Sequence, residues 1–438
     1  MNAINREILR LAWPAIATNI TTPILSLCDI AIVGHIENGN LIAAVAVGST
    51  VFNIVYWMFA FLRMGTSGLT AIAYGSKDIT AQRRVLFRGV CIASAAAFII
   101  LVAAPLVGPY VIGLVDDNTS ANSDAVRYFS VAIWGAPGVL MTYVCSGWML
   151  GMQQSKPIMW IALTTNLLNI ALSVIFVFIA GLGIVGVGLG TALSQITGGV
   201  IGVIVVAHKL PRKLNGIETY QKVASTSWRS FFSLNRDIFL RTVCLAAVTL
   251  WFTHAGATMN QSILSANTIL MQFFLVFSYF MDGFAFGGEA LAGRFLGAQD
   301  LRNLQHTVSA LFKWGIWTAL IFSGLYFIAG DIFIRLLTDD LDIISLANDF
   351  SLWTLVIPLT GFSAFTWDGI FIGMTRYKYL LSSMAVAMIV FFGILYFTGF
   401  YNTSQPVQFR NHQLWLAFVC YLATRGVVAW LLYRRHRF

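Results

Sequence analysis

The stretch GWMLGMQQSK at residues 147–156 returns 222 residues later as GIFIGMTRYK at residues 369–378. Both copies read Gly-x-x-x-Gly-Met-x-x-x-Lys, and both close a long apolar run. Other pairs keep nearly the same offset. Gly65, Leu69 and Gly75 of GTSGLTAIAYG match Gly287, Leu291 and Gly297 of GGEALAGRFLG. FSVAIWGAP at 129–137 matches FSLWTLVIP at 350–358, while NREILR from Asn5 matches NRDIFLR from Asn235 at a longer offset of 230. One offset shared by scattered motifs means that the second half of the chain repeats the first.

What is repeated follows from composition. The chain has 438 residues, is 58% hydrophobic and only 10% charged, against roughly 25% charged in soluble domains. Mean hydropathy is +0.78. Apolar runs long enough to cross a bilayer as helices recur throughout, and the short alternating segments of a membrane barrel are missing. Polar breaks divide the chain into twelve expected spans: 8–34, 41–64, 86–110, 124–151, 157–179, 184–207, 237–256, 260–289, 308–329, 345–373, 379–400 and 413–433. The expected fold class is therefore an all-α integral membrane protein, with twelve transmembrane helices in two pseudo-symmetric six-helix bundles. An even number of spans per half makes both halves enter the membrane in the same direction. The repeat axis then runs along the membrane normal, as in transporters built from two parallel bundles.

Basic residues orient the chain. With both termini in the cytoplasm, 22 of the 27 Lys and Arg residues fall on the inner side, among them Arg83, Arg84, Lys209, Arg236, Arg241 and Arg434. The outer loops carry acids such as Asp116, Asp117, Asp339 and Asp340. This positive-inside pattern accounts for the net charge of +9 without a nucleic-acid partner. The basic stretch 209–236 is the expected linker between an amino-terminal lobe, 1–208, and a carboxy-terminal lobe, 237–438. The first run carries Thr18, Asn19, Thr21 and Thr22 and lacks an Ala-x-Ala exit, so it is read as a span and not a cleaved signal. Five cysteines, all in apolar runs and without a CxxC, read as packed thiols and not as a metal or disulfide framework. No metal site is expected. Without a Walker motif, direct use of ATP is not expected either.

Charged groups inside spans are functional candidates. They are Asp29, Asp282, Asp368 and Arg425, with Arg63 and Glu289 nearer helix ends. Asp282, Asp368 and Arg425 share a depth in the second half, where an ion pair can satisfy at least one acid. Asp29 has no base at its depth in the first half. It has polar company instead: Thr18, Thr22, Ser26 and Asp29, spaced 4, 4 and 3, line one helix face. Thr165, Asn169 and Ser173 form a stripe in the fifth span, and Thr191 and Gln195 one in the sixth. A buried carboxylate without a cation favours its protonated form. Such a group can exchange a proton or hold a small cation, or stay permanently bonded to hydroxyls. Pro14 and Pro23 each remove a backbone hydrogen bond from the same helix and are candidate bend points.

The segments LAWPAIATNI, DIAIVGHI, FLRMGTSGLTAIAYG, SYFMDGFAFGGEALAG, DGIFIGMTR and LATRGVVAW together carry a likeness over nearly the whole chain. By them the sequence resembles the multidrug and toxic compound extrusion (MATE) family, and within it the DNA-damage-inducible protein F (DinF) branch. The resemblance implies a non-enzymatic secondary antiporter of the inner membrane. It would export organic, cationic or amphipathic compounds in exchange for H⁺ or Na⁺, by alternating access and without an organic cofactor. Its partners would be small organic substrates and the lipid bilayer, and the expected state is a monomer. Asp29 matches the family's coupling carboxylate, Pro14 the proline linked to bending of the first helix, and Asn169 and Thr191 an Asn and a Thr of the amino-lobe site. Ser173 stands where that site carries a second Asp. The expectation is that Asp29 alone couples protons, with weak or absent Na⁺ dependence in this lobe. Asp282 and Asp368 are candidates for a second cation site. A Na⁺-coupled antiporter, a flippase for lipid-linked precursors and a non-transporting scaffold remain the alternatives.

Overall fold

Apolar segments that leave water must bond their own backbone groups, and a helix does so within one segment. The computed structural model describes residues 3–34, 40–115, 119–210, 228–402 and 404–435, and its regular structure there is entirely helical. In chain order the helices are α1 (Ala3–Gly34), α2 (Asn40–Met58), α3 (Phe61–Gly75), α4 (Ile79–Val115), α5 (Thr119–Ala132), α6 (Ala136–Gly151), α7 (Ser155–Val174) and α8 (Gly183–Lys209). The second half holds α9 (Trp228–Met259), α10 (Gln261–Gly297), α11 (Leu301–Leu337), α12 (Leu341–Phe350), α13 (Leu352–Gly373), α14 (Tyr377–Phe397) and α15 (Val407–Arg435).

Three spans are each made of two helices. α2 joins α3 through a turn at Phe59 and Ala60, whose N–H groups bond the Tyr56 and Trp57 carbonyls. α5 joins α6 through a 3₁₀ turn at Ile133–Gly135, ahead of Pro137 in the first turn of α6. α12 joins α13 at Ser351. Among the described residues eleven stretches are then long and apolar enough to cross a membrane, and the 32-residue α1 makes the twelfth span. The chain is thus an all-α membrane protein of twelve spans in two six-helix bundles. The turn into α8 follows a π-helical segment at Ile175–Ile179 and uses Gly181 and Gly183, both at positive φ, where glycine alone adds no steric cost.

The duplicated Gly-x-x-x-Gly motif makes the same contact twice. A Cβ on Gly147 or Gly151 of α6 would lie 2.4 and 2.6 Å from the Arg63 and Ser67 carbonyl oxygens of α3. On Gly369 or Gly373 of α13 it would lie 2.2 and 2.3 Å from the Ala285 and Glu289 oxygens of α10. Arg63 and Ala285, like Ser67 and Glu289, are again 222 positions apart. The turns repeat as well. Among the described residues the non-glycine ones at positive φ are Lys77, Gln153, Gln299 and Thr375, which are two pairs at the same offset. Asp78 and Asp300 each accept a backbone N–H three residues on, from Ala81 and Asn303, at 2.9 and 3.0 Å. The backbone N–H of Asn303, and then its side-chain amide, hold the half-buried Asp300 carboxyl below the usual carboxylate range.

The chain divides into two compact units, Trp13–Arg229 and Met1–Ala12 with Ser230–Phe438. The first has a core around Phe52, Tyr56, Tyr128 and Phe129. The second is aromatic-rich, with Phe252, Trp415 and Phe418 in mutual ring contact and Phe277 edge-on to Phe322. Within it, the start of α1 is tied down: Ile8, Leu11 and Ala12 are buried, and the Arg294 guanidinium of α10 donates to Glu7 at 3.2 Å. The linker expectation, 209–236, falls mostly on residues 211–227, which lie outside the described residues.

Candidate functional site

In the unit Trp13–Arg229, α7 and α8 approach closely because α8 carries glycines where they meet. A Cβ on Gly190 would lie 2.5 Å from Ser173 Oγ, and one on Gly198 would lie 2.4 Å from Thr165 Oγ1. That proximity lets the Asn169 side-chain amide donate to Thr191 Oγ1 at 3.2 Å, while the Thr191 hydroxyl donates to the Val187 carbonyl at 3.0 Å. Asn169, Ser173 and Thr191 are buried. Asn169 Oδ1 and Ser173 Oγ have no hydrogen-bond partner among the described residues. Buried polar atoms are nearly always bonded, so two orphans one turn apart on α7 mark a place built to receive a donor or a cation.

α1 meets this place through a pair that the stripe pattern did not include. Asn166 of α7 donates to Thr21 Oγ1 at 3.0 Å, and Thr21 donates to the Thr18 carbonyl at 2.7 Å. Asn166 precedes Asn169 by three and Ser173 by seven, so the three share a helix face, a spacing visible in the sequence. Thr165, counted in the stripe, instead donates back to the Ile161 carbonyl at 2.8 Å. Gln195 is also engaged elsewhere, accepting from the Tyr56 hydroxyl at 3.3 Å. Pro14 and Pro23 both lie inside α1, with Pro14 in its fourth turn and not at its start. The Thr18 hydroxyl donates to the Pro14 carbonyl at 2.9 Å, a back-bond that favours bending. Asp29 lies within α1, but its side chain and those of Thr22 and Ser26 lie outside the described residues.

The second unit has a charged cluster. Asp368 of α13 accepts from Arg425 of α15 at 2.7 Å and also from Arg241 of α9. The side chains are 13, 4 and 9% exposed, so this is a buried triad and not a surface bridge. Arg425 also stacks on Phe365 and Tyr421 at 5.7 and 5.4 Å. The half-buried Asp282 of α10 interacts electrostatically with the same Arg425. The sequence counts Arg241 only as an inner-side base at the start of the expected span 237–256, whereas the structure buries it in the triad. A base one helical turn into a span is counted toward the orientation of the chain and so left out of the intramembrane candidates. Among the described residues no group of three metal-ligating side chains occurs.

The sequence model of the MatE family matches twice, at residues 14–175 and 237–397, once in each half of the repeat. DNA damage-inducible protein F of Escherichia coli (strain K12) is 34% identical over 442 residues, which covers 100% of this chain and 93% of that protein. Protein DETOXIFICATION 44, chloroplastic, of Arabidopsis thaliana is 22% identical over 98% of this chain and 82% of its own. Among solved structures, an outward-facing multidrug resistance MATE family transporter of the MOP superfamily has a TM-score of 0.82 at 17% identity, covering 99% of this chain and 96% of that one. A MOP superfamily transporter from Pyrococcus furiosus has a TM-score of 0.84 at 18% identity, with the same coverage. The structural likeness supports the twelve-span fold, and the two-fold match of the family model with the full-length relative makes the chain a member of the MatE family of membrane transporters, which are not enzymes.

Proposed function

We propose that this protein is a secondary antiporter that exports organic cations or amphipathic compounds in exchange for protons, with Asp29 as the group that takes and releases the proton. The observation that carries the reading is the orphan pair Asn169 Oδ1 and Ser173 Oγ. α1 and α7 are both odd-numbered spans and run the same way. Carried seven residues along from the bond between Asn166 and Thr21, parallel helices would bring Ser173 level with residue 28, next to Asp29, which supports the reading. A protonated carboxyl offers the O–H donor that these acceptors lack. Export would proceed in a cell's inner membrane, with both termini cytoplasmic and with H⁺, not an organic cofactor, as the coupling partner.

Two features favour H⁺ over Na⁺. With Ser173 in place of a second carboxylate, the site offers one charged oxygen and otherwise neutral ones, a poor exchange for the shell of a dehydrated cation. In the other unit Asp368 already has two guanidinium partners, which leaves it unsuited to trading an ion each cycle. The test is efflux from everted vesicles under separate H⁺ and Na⁺ gradients. Wild type should respond to the pH gradient alone, and Asp29→Asn should lose that response. Equal transport by Asp29→Asn would remove Asp29 from the mechanism. Efflux driven by Na⁺ at clamped pH would replace the proton reading with a Na⁺ one.

A further inference from the structure

The backbone holds the junction of α12 and α13 loosely. Two bonds that cross it reach back only three residues, from the Ser351 N–H to the Asn348 carbonyl at 3.2 Å and from the Thr354 N–H to the Ser351 carbonyl at 3.0 Å. A side chain of α15 bridges the two helices. The His412 ring stands edge-on to Phe350, the last residue of α12, with centroids 4.8 Å apart. It also accepts a hydrogen bond at Nδ1 from the indole N–H of Trp353, the second residue of α13, at 3.0 Å.

An indole only donates, so this bond needs a bare Nδ1, with the ring proton on Nε2. Imidazolium donates at both nitrogens. A second proton on His412 therefore sets two N–H groups against each other, and the bond is lost. Histidine is the side chain whose charge ordinarily changes between about pH 5 and 8. His412 is exposed, whereas Phe350 is buried and Trp353 half-buried, so protons reach the acceptor from solvent. The charged groups around it are otherwise placed. Asp342 and Asp349 of α12 are exposed and form no ion pair with His412 among the described residues. Asp331 of α11 is held by Arg335 and by Asn348. Arg410, two residues before His412, donates to the Phe400 carbonyl at 2.9 Å and lies over the Phe400 ring. The first turns of α13 carry no titratable side chain.

We propose that Trp353 and His412 form a proton-operated latch across this junction, closed while His412 is neutral and open once it is charged. Acidification of that face then frees the start of α13 from α15. With both termini cytoplasmic that face is the outer one, but the latch rests on the bond alone and not on Asp29 as the coupling group. Hydrogen exchange followed by mass spectrometry tests it on the purified full chain. The peptide spanning the junction is compared, in each sample, with the turn at Gln299 and Asp300 at the far end of the unit, which cancels the intrinsic effect of pH. Relative exchange of the wild-type junction should rise about fivefold from about pH 8 to about pH 5, as expected for the loss of one hydrogen bond. His412→Gln offers an acceptor that does not titrate and should stay slow at both pH values. His412→Phe keeps a ring without an acceptor, and Trp353→Phe removes only the donor, so both should be fast throughout. Asp29→Asn should respond as wild type does. A flat wild-type response, or one that survives in His412→Gln, overturns the latch. Its loss in Asp29→Asn overturns it too, by assigning the pH dependence to the coupling site.

Discussion

At the residue scale, two charged arrangements of the second unit differ by what surrounds them. Asp368 is nearly buried between Arg241 and Arg425. Asp331 and Arg335 form a pair of α11 that is about half exposed on both sides, at 51 and 55%. Removing one partner of a buried pair leaves the other charge uncompensated and costs about 3–5 kcal/mol, whereas exposed i,i+4 pairs contribute only about 0.3–0.5 kcal/mol. Asp368→Asn should therefore lower the midpoint of thermal unfolding in detergent strongly. Asp331→Asn should shift it little. Equal midpoints for the two variants would show that the triad is wetter than its burial implies. The bond between Asp368 and Arg425 was legible from their common depth. Arg241 was not, because a base in the first turns of an expected span serves as a topology marker, and hydropathy does not say whether its side chain turns inward. Likewise Asn166 and Thr21 stood one position off the counted stripes, and only the register of α1 against α7 brings them together.

At the element scale, the number and order of spans were readable, but their ends were not. Arg63 ended the second expected span at 64, yet that span runs on as α3 to Gly75. α11 begins at Leu301 instead of 308, since its polar first turns hold Arg302, Asn303 and His306. Helical backbone tolerates charge where the side chain can reach water, so hydropathy underestimates length at the ends. The repeat was legible as an offset, but not its physical content, which is the same close helix crossing built twice. Gly369→Ala would push a Cβ to 2.2 Å from the Ala285 carbonyl oxygen and should destabilise by about 1–3 kcal/mol through overpacking. Gly393, inside α14, would have nothing within 4 Å of its new Cβ. There the same change should stabilise by about 1 kcal/mol, by helix propensity alone. Unfolding midpoints of the two variants against wild type check both signs, and a harmless Gly369→Ala would mean that the crossing gives way easily.

At the scale of the whole molecule, the two halves share a plan but not an inventory. The first keeps neutral oxygens on α7 and α8 and its carboxylate on α1. The second spends its carboxylate in an arginine triad. Duplication thus preserved the packing residues and let the polar ones diverge, which is why periodicity revealed the architecture while the chemistry had to be read position by position. One departure from the plan concerns the first twelve residues. They group with Ser230–Phe438, although α1 continues without interruption to Gly34, and Pro14 falls two residues past the change. The protein is in this respect a partial strand-exchange, with one half borrowing a peptide from the other. The two units expressed separately would then yield unequal fragments. Fragment 13–229 should behave well alone, because it keeps its own core. Fragment 228–438 should aggregate, and adding a peptide of residues 1–12 in trans should restore a monodisperse peak in size-exclusion chromatography. If the carboxy-terminal fragment is monodisperse without the peptide, Ile8, Leu11 and Ala12 are ornaments to that unit and not a missing piece of it.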